Sequence, residues 1–398
     1  MINNRWVVLI AGTLLNFVMS YTYAWSVFTT PLMQLFGWTA TALAITFTMT
    51  GAMGPFSQII GGILLNKFGI KRVMFCSIIL FAIAMFAAGY TSSIGWLYLT
   101  YGIVAAFSMA ICYICNLTNV LRFFDDKRGM ASGIFTSGSG FSAVVTAPVA
   151  QHLIASFGVL ATFKIFGVAY LVILMVLFLF IREAPMPESS GETEDNADGL
   201  QERSYTPLEM LRTADFYILL ALYGAGATGG LMVISQTAMM AQEMVGTTAA
   251  IAALAVSIVA LGNAMGRIVW GLVSDKLGRY NTLPILFAIM TVLFIVFNVF
   301  CRANLTAFLI VIILIGLCFG GIPSMFPAFT LDRFGPKYNG SNYGCMFFGY
   351  AIGAFVGPVI GAAFKDAGGA PYSVGLLIAA LICVVGLVLS IVLKRRRR

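Results

Sequence analysis

The sequence predicts an all-α membrane protein, with twelve transmembrane helices arranged as two pseudo-symmetric six-helix bundles. Three observations carry this. The chain of 398 residues is 60% hydrophobic and only 10% charged, where a soluble domain carries about 25% charged residues. Apolar runs of the ~20 residues needed to cross a bilayer recur along it. The chain also echoes itself at an offset near 210 residues.

In order, the spans are read as 6–28, 39–65, 73–91, 94–121, 129–156 and 161–181, then 214–241, 247–273, 282–301, 304–331, 341–364 and 371–393. The first follows Arg5 and is too long for a signal-peptide core, so it is read as a retained spanning helix. Residues 183–212 hold Glu188, Glu192, Glu194, Asp195, Asp198 and Glu202 among Ser, Pro and Gly. Such a segment cannot bury enough apolar surface to fold alone and reads as a flexible cytoplasmic linker. The bundles are therefore 1–182 and 213–398.

Lys and Arg placement sets the orientation. With both termini cytoplasmic, 19 of the 23 Lys and Arg residues lie inside; Lys164, Arg302 and Lys365 lie outside, and Arg267 is left over. A multi-pass protein of a cell membrane follows, with the bacterial inner membrane the expected one. The net charge of +8 does not point to nucleic acid, because the basic residues recur at span ends rather than on one soluble face. The run from Lys394 to Arg398 suits anionic lipid headgroups. Cys112 and Cys115 form a Cys-x-x-Cys pair, but no second Cys or His pair accompanies it, and His152 is the one histidine. Neither a metal site nor a cofactor is expected. No nucleophile–base pair suggests an enzyme, and a monomer is expected.

Arg267 is the most informative residue. It is the one charge in the apolar run from Ala249 to Val273, and no Asp or Glu lies at similar depth. An arginine there costs about 2.5–3.5 kcal/mol on insertion scales. The implied partner is an anionic substrate. Asn263 and Trp270 share its helical face at i−4 and i+3; the first can hydrogen-bond without neutralising, the second can stack. The planar guanidinium fork suits a carboxylate. The alternative is that Arg267 is satisfied by backbone carbonyls or a hydroxyl.

The repeat is specific. Gly62-Ile-Leu-Leu-Asn66-Lys67-Phe-Gly69 follows span two, and Gly271-Leu-Val-Ser-Asp275-Lys276-Leu-Gly278-Arg279 follows span eight. Arg122, Lys127 and Gly133 are echoed by Arg333, Lys337 and Gly344. Two similar halves around a midplane site are the architecture of secondary transporters. The Gly-x-x-x-Asp-Lys-x-Gly-Arg loop resembles the loop motif of the major facilitator superfamily, with Asn66 departing from it in the first copy. Leu208 to Thr213 with Phe216, Asp125 to Gly129 with Ala131 to Gly133, Gly320-Gly321 with Phe326-Pro327, and Asn342 to Gly344 resemble the oxalate:formate antiporter family, itself similar to the monocarboxylate transporters.

That resemblance implies an alternating-access carrier of small carboxylates, working by proton symport or anion exchange. It implies a substrate-binding role for Arg267. The oxalate carriers place a lysine where Tyr350 aligns, so one deep cation argues for monocarboxylates such as lactate, pyruvate or formate. The proton-coupled carriers place an Asp where Asn263 stands, so the proton-coupling residue stays open. Tyr113, Asn116 and Asn119 on span four, and Tyr23 beside Asn16 and Ser20 on span one, are further ligand candidates or interhelical bonds. Asp275, Arg279, Lys67 and Arg72 are read as the gate, Asp275 through a salt bridge across the halves. Gly349, Gly353, Gly357 and Gly361 form a ladder that is either static packing or a sliding seam between halves. Oxalate/formate-type exchange, efflux of larger amphipathic compounds and a non-transporting sensor remain the competing readings. No deep carboxylate supports drug efflux, and the ~30-residue linker is short for a sensor's domain.

Overall fold

The computed structural model describes residues 5–184, 204–302, 304–364 and 372–396, without the side chains of Tyr23, Ala40, Ala143 and Ala249. The first half comprises α1 (Arg5–Met19), α2 (Trp25–Phe36), α3 (Ala40–Phe68), α4 (Ile70–Ala88), α5 (Ile94–Leu97), α6 (Ala106–Phe123), α7 (Arg128–Phe157) and α8 (Val159–Leu179). The second comprises α9 (Pro207–Leu211), α10 (Ala214–Val245), α11 (Ala249–Leu277), α12 (Arg279–Phe300), α13 (Leu305–Phe334), α14 (Asn339–Ala363) and α15 (Ser373–Arg396). Among the described residues, ten helices are long and apolar enough to cross a membrane. Span one is broken: a 3-10 turn over Tyr21–Ala24 joins α1 to α2. Span four runs from α5 to α6 through a π-helical stretch, Tyr98–Ala105. Span four is one of the ten, so the broken span one and α3 complete the twelve among the described residues.

Two differences from the sequence reading have local causes. Residues 204–212, read as linker, are ordered: Thr206 and Glu209 form a capping box on α9. Asn342 Nδ2 donates to the Tyr205 carbonyl at 2.9 Å, and Tyr205 N donates to Phe334 O at 2.8 Å. The rest of that linker, 185–203, lies outside the described residues. The glycine ladder is also not an interhalf seam. Cβ atoms at Gly349, Gly353 and Gly357 would run into Leu220, Gly224, Ala227 and Thr228 of α10. The ladder lets α14 pack closely on α10 inside its own half, as small residues do in membrane bundles.

The halves meet along two seams, α7 on α11 and α3 on α14. Both are tight at the end that carries the basic loops. There Gly129 lies against Gly271, Gly133 against the Arg267 backbone, and Gly62 against Gly340 and Ser341, with no room for a Cβ. A Cβ on Gly54 would still touch Phe347 at 3.3 Å, and one on Gly140 would touch Ala264 at 3.4 Å. One on Gly51, a turn further along α3, would meet open space. Val144 and Val145 of α7 and Leu254 of α11 are exposed. The seams thus part away from the basic end and bound a cleft closed at that end.

Candidate functional site

Arg267 sits on α11 where its seam begins to part, ten residues before the helix end at Leu277, or about 15 Å of helix. It is 6% exposed and is the one charged side chain among the fully buried described residues. No carboxylate pairs with it among the described residues. It is nonetheless clamped by neutral groups: Nε donates to Asn263 Oδ1 at 3.2 Å, and Nη1 donates to the Thr136 carbonyl and to Ser139 Oγ, the latter at 2.7 Å. Both α7 acceptors belong to the other half. The alternative reading, satisfaction by a carbonyl and a hydroxyl, is therefore what the resting geometry contains. These groups solvate the charge without cancelling it. Nη2 has no hydrogen bond among the described residues, and Asn263 Nδ2 is a buried donor with no partner there. Spare donors around an uncancelled cation are what an acceptor-only ligand, a carboxylate, needs.

An aromatic cluster flanks the guanidinium and joins the halves. Tyr223 of α10 and Tyr343 of α14 share a hydroxyl hydrogen bond of 3.0 Å, and Tyr113 of α6 lies within electrostatic reach of both. Tyr113 leans on Phe135 at 5.4 Å. Tyr350 lies 5.5 Å from Tyr223 and stacks on Phe347 at 5.0 Å. Tyr223 is within electrostatic reach of Arg267. The structure so gathers Arg267, Asn263, Tyr113 and Tyr350. Asn116 lies beside them: its Nδ2 donates to Gly12 O at 2.9 Å, while its Oδ1 is buried and unpaired. With Asn16 and Tyr113 it lines a cavity of about 10 Å³, the room one water needs.

Other candidates fall elsewhere. Asn119 Nδ2 donates to Arg182 O at 2.7 Å, and its Oδ1 accepts from Ala184 N at 2.9 Å. It fastens the chain leaving α8, so its polar atoms are spent outside the cleft. Trp270 does not cover Arg267; its ring packs on Gly321 and Leu286 within the second half, because α13 presents a glycine there. The Tyr23 side chain lies outside the described residues. Two contributors escaped the sequence reading: Ser139 and Tyr343. Gln58 of α3 is buried with Oε1 unpaired. The 209-residue offset of the repeat, which pairs Asn66 with Asp275, makes it the counterpart of Arg267 in the first half.

At the basic end, Asp275 accepts from the backbone N–H groups of Gly129 and Met130, 2.7 Å each. A carboxylate of one half thus caps the α7 N-terminus of the other, where unpaired amides and the helix dipole favour negative charge. The salt bridge across the halves is made by a different acid: Arg128 pairs with Asp332 at 2.8 Å. Asp275 pairs within its half with Arg279 at 3.5 Å, and Arg279 also reaches Asp332. This corrects the expected cross-half bridge from Asp275, whose oxygens the α7 amides occupy. Lys67 and Arg72 are exposed and form no ion pair among the described residues.

A two-half helical membrane protein with a central cleft, closed at one end around a buried cation, is built as a secondary transporter. The chain belongs to the Major Facilitator Superfamily, which it matches over residues 9–246 and 233–398. It is 28% identical to the oxalate:formate antiporter of Oxalobacter formigenes over 396 residues, 98% of this chain and 91% of that one. It is 25% identical to monocarboxylate transporter 12-B of Danio rerio, covering 78% of this chain and 70% of the relative. The solved structure of the transporter FucP in its outward conformation superposes with a TM-score of 0.74 at 17% identity, covering 97% of this chain and 98% of that one. That likeness concerns the fold.

Proposed function

We propose that this transporter carries small monocarboxylates, with lactate, pyruvate and formate as the candidates, by alternating access between the two halves. One observation carries the reading: a buried guanidinium at the cleft floor, with spare donors and no acidic partner among the described residues. A monoanion there gives a neutral pair, whereas a dianion leaves net negative charge in a poorly solvated site. Its carboxylate takes the Arg267 fork, Asn263 Nδ2 adds a donor, and the tyrosines wrap the short carbon chain. Gln58 Oε1 and Asn116 Oδ1 accept from a substrate hydroxyl or from an acid proton. The 19-to-3 split of Lys and Arg supports a cytoplasmic basic end, which makes this state outward-facing.

The test is uptake into proteoliposomes of labelled formate, lactate, pyruvate and oxalate, with and without a pH gradient. Arg267→Ala is expected to lower uptake at least ~100-fold, the cost of a buried hydrogen-bonded charge partner. Arg267→Lys, which keeps the charge but not the fork, is expected to fall between. Normal uptake by a folded Arg267→Ala protein ends the proposal. Oxalate preferred over all three monoanions would return the reading to dicarboxylate exchange.

A further inference from the structure

Arg267 Nη1 already has a ligand, and that ligand belongs to the opposite half. The Thr136 carbonyl and Ser139 hydroxyl of α7 stand where a carboxylate would bind, an arc of two oxygens on one nitrogen. Ser139 also donates its own proton to Thr136 O at 2.8 Å, which orients its lone pairs toward the guanidinium. We infer that Ser139 is a positioning residue that holds Arg267 as an interhalf latch, and that the substrate anion competes with it for Nη1. The inference rests on the carboxylate reading of the site.

The physical consequence is a rule about the empty carrier. Opening the basic end separates α7 from α11. Without substrate, this strips Nη1 of both α7 oxygens and leaves a buried cation short of acceptors, which is the costly outcome for such a group. With a carboxylate bound, the guanidinium keeps its partner as the halves part, because the anion travels with α11. The loaded carrier therefore reorients and the empty one is held back. Such a carrier exchanges one anion for another faster than it lets any leak.

The seam carries a built-in reporter. The amides of Gly129 and Met130 stand in the first turn of α7, where no helical carbonyl precedes them, and both are held by Asp275 of the other half. Their hydrogen exchange reads seam opening. The amide of Ile70 is a matched control, since Glu183 of the same half accepts from it at 2.8 Å.

In the purified full chain, Ser139→Ala is expected to speed exchange at Gly129 and Met130 about tenfold, the equivalent of one hydrogen bond to a charged group. Ile70 stays unchanged, and Ser139→Thr restores the wild-type rate. In proteoliposomes the ratio of net efflux to exchange rises with Ser139→Ala. Saturating formate, lactate or pyruvate, whichever is transported, speeds the same two amides in the wild-type protein. Equal amide rates in wild type and Ser139→Ala overturn the latch. A transported carboxylate that leaves the wild-type amides unmoved overturns the competition. If no carboxylate is transported, the proposed function falls, while the Ser139→Ala amide rates still decide the latch.

Discussion

The two seams are built from equivalent pieces of a repeated chain, yet they hold the halves together by different physics. On α7/α11, a carboxylate caps a helix and Arg267 reaches across to α7, while beside them Arg128 of α7 meets Asp332 of α13. On α3/α14, Asn66 stands where Asp275 stands and makes no hydrogen bond among the described residues; Gln58 stands where Arg267 stands. That seam closes by shape: glycine against backbone at Gly62 and Gly344, and Phe56 edge-on to Phe348 at 5.2 Å. Backbone approach is common to both seams, whereas charge is confined to one. An anion in the cleft therefore acts on α7/α11, and α3/α14 follows as the apolar counterpart on which the halves close.

The largest effects should come from breaking what the seams share. At Gly133 a new Cβ would overlap the Arg267 carbonyl, and at Gly62 the Ser341 amide. Gly133→Ala and Gly62→Ala are each expected to cost the closed state about 1–3 kcal/mol, the usual size of overpacking. Both should speed exchange at Gly129 and Met130 with little change in Tm. Gly353→Ala should do the reverse, lowering Tm while leaving those amides alone, because its neighbours Gly224 and Ala227 lie in its own half. Equal behaviour of all three would erase the distinction between seam and intrahalf glycines.

The difference in legibility between these elements has a physical basis. The twelve spans could be read because a bilayer demands length and hydropathy that the sequence carries openly. Arg267 stood out for the same reason, as one charge where lipid or protein tolerates few. Its clamp could not be read: a backbone carbonyl such as that of Thr136 has no letter of its own, and Ser139 lies 128 residues away on another helix. Asn116 and Asn119 looked alike at i and i+3, but Asn119 spends both polar atoms on the chain leaving α8 while Asn116 keeps a buried, unpaired Oδ1 beside Tyr113, and depth along the helix decided which. The glycine ladder gave the right mode of packing and the wrong neighbour, since small-residue spacing says that a helix is approached, never by which.

A middling effect is expected from weakening the charged seam. Asp275→Asn keeps one oxygen for the Gly129 and Met130 amides but removes the charge that favours the α7 terminus, a loss of about 1–2 kcal/mol in a partly buried setting. Seam amides should exchange faster, and a reagent reaching the cleft from the basic end should gain access. Unchanged rates would mean that the Arg128–Asp332 pair carries the seam alone.

The smallest and sharpest effect comes from giving the apolar seam the missing charge. The α14 N-terminus has no side-chain cap at Tyr338, and Gly62, one turn before Asn66, already lies against Gly340 and Ser341. Asn66→Asp would set a carboxylate beside those first-turn amides, the arrangement that Asp275 makes with Gly129 and Met130. A gain of about 0.3–1 kcal/mol for the closed state is expected, read as slower exchange at Gly340 and Ser341 and slower turnover. The gain must fade in high salt if it is electrostatic. A salt-independent change would place the effect in packing, and the two seams would then differ in more than one charge.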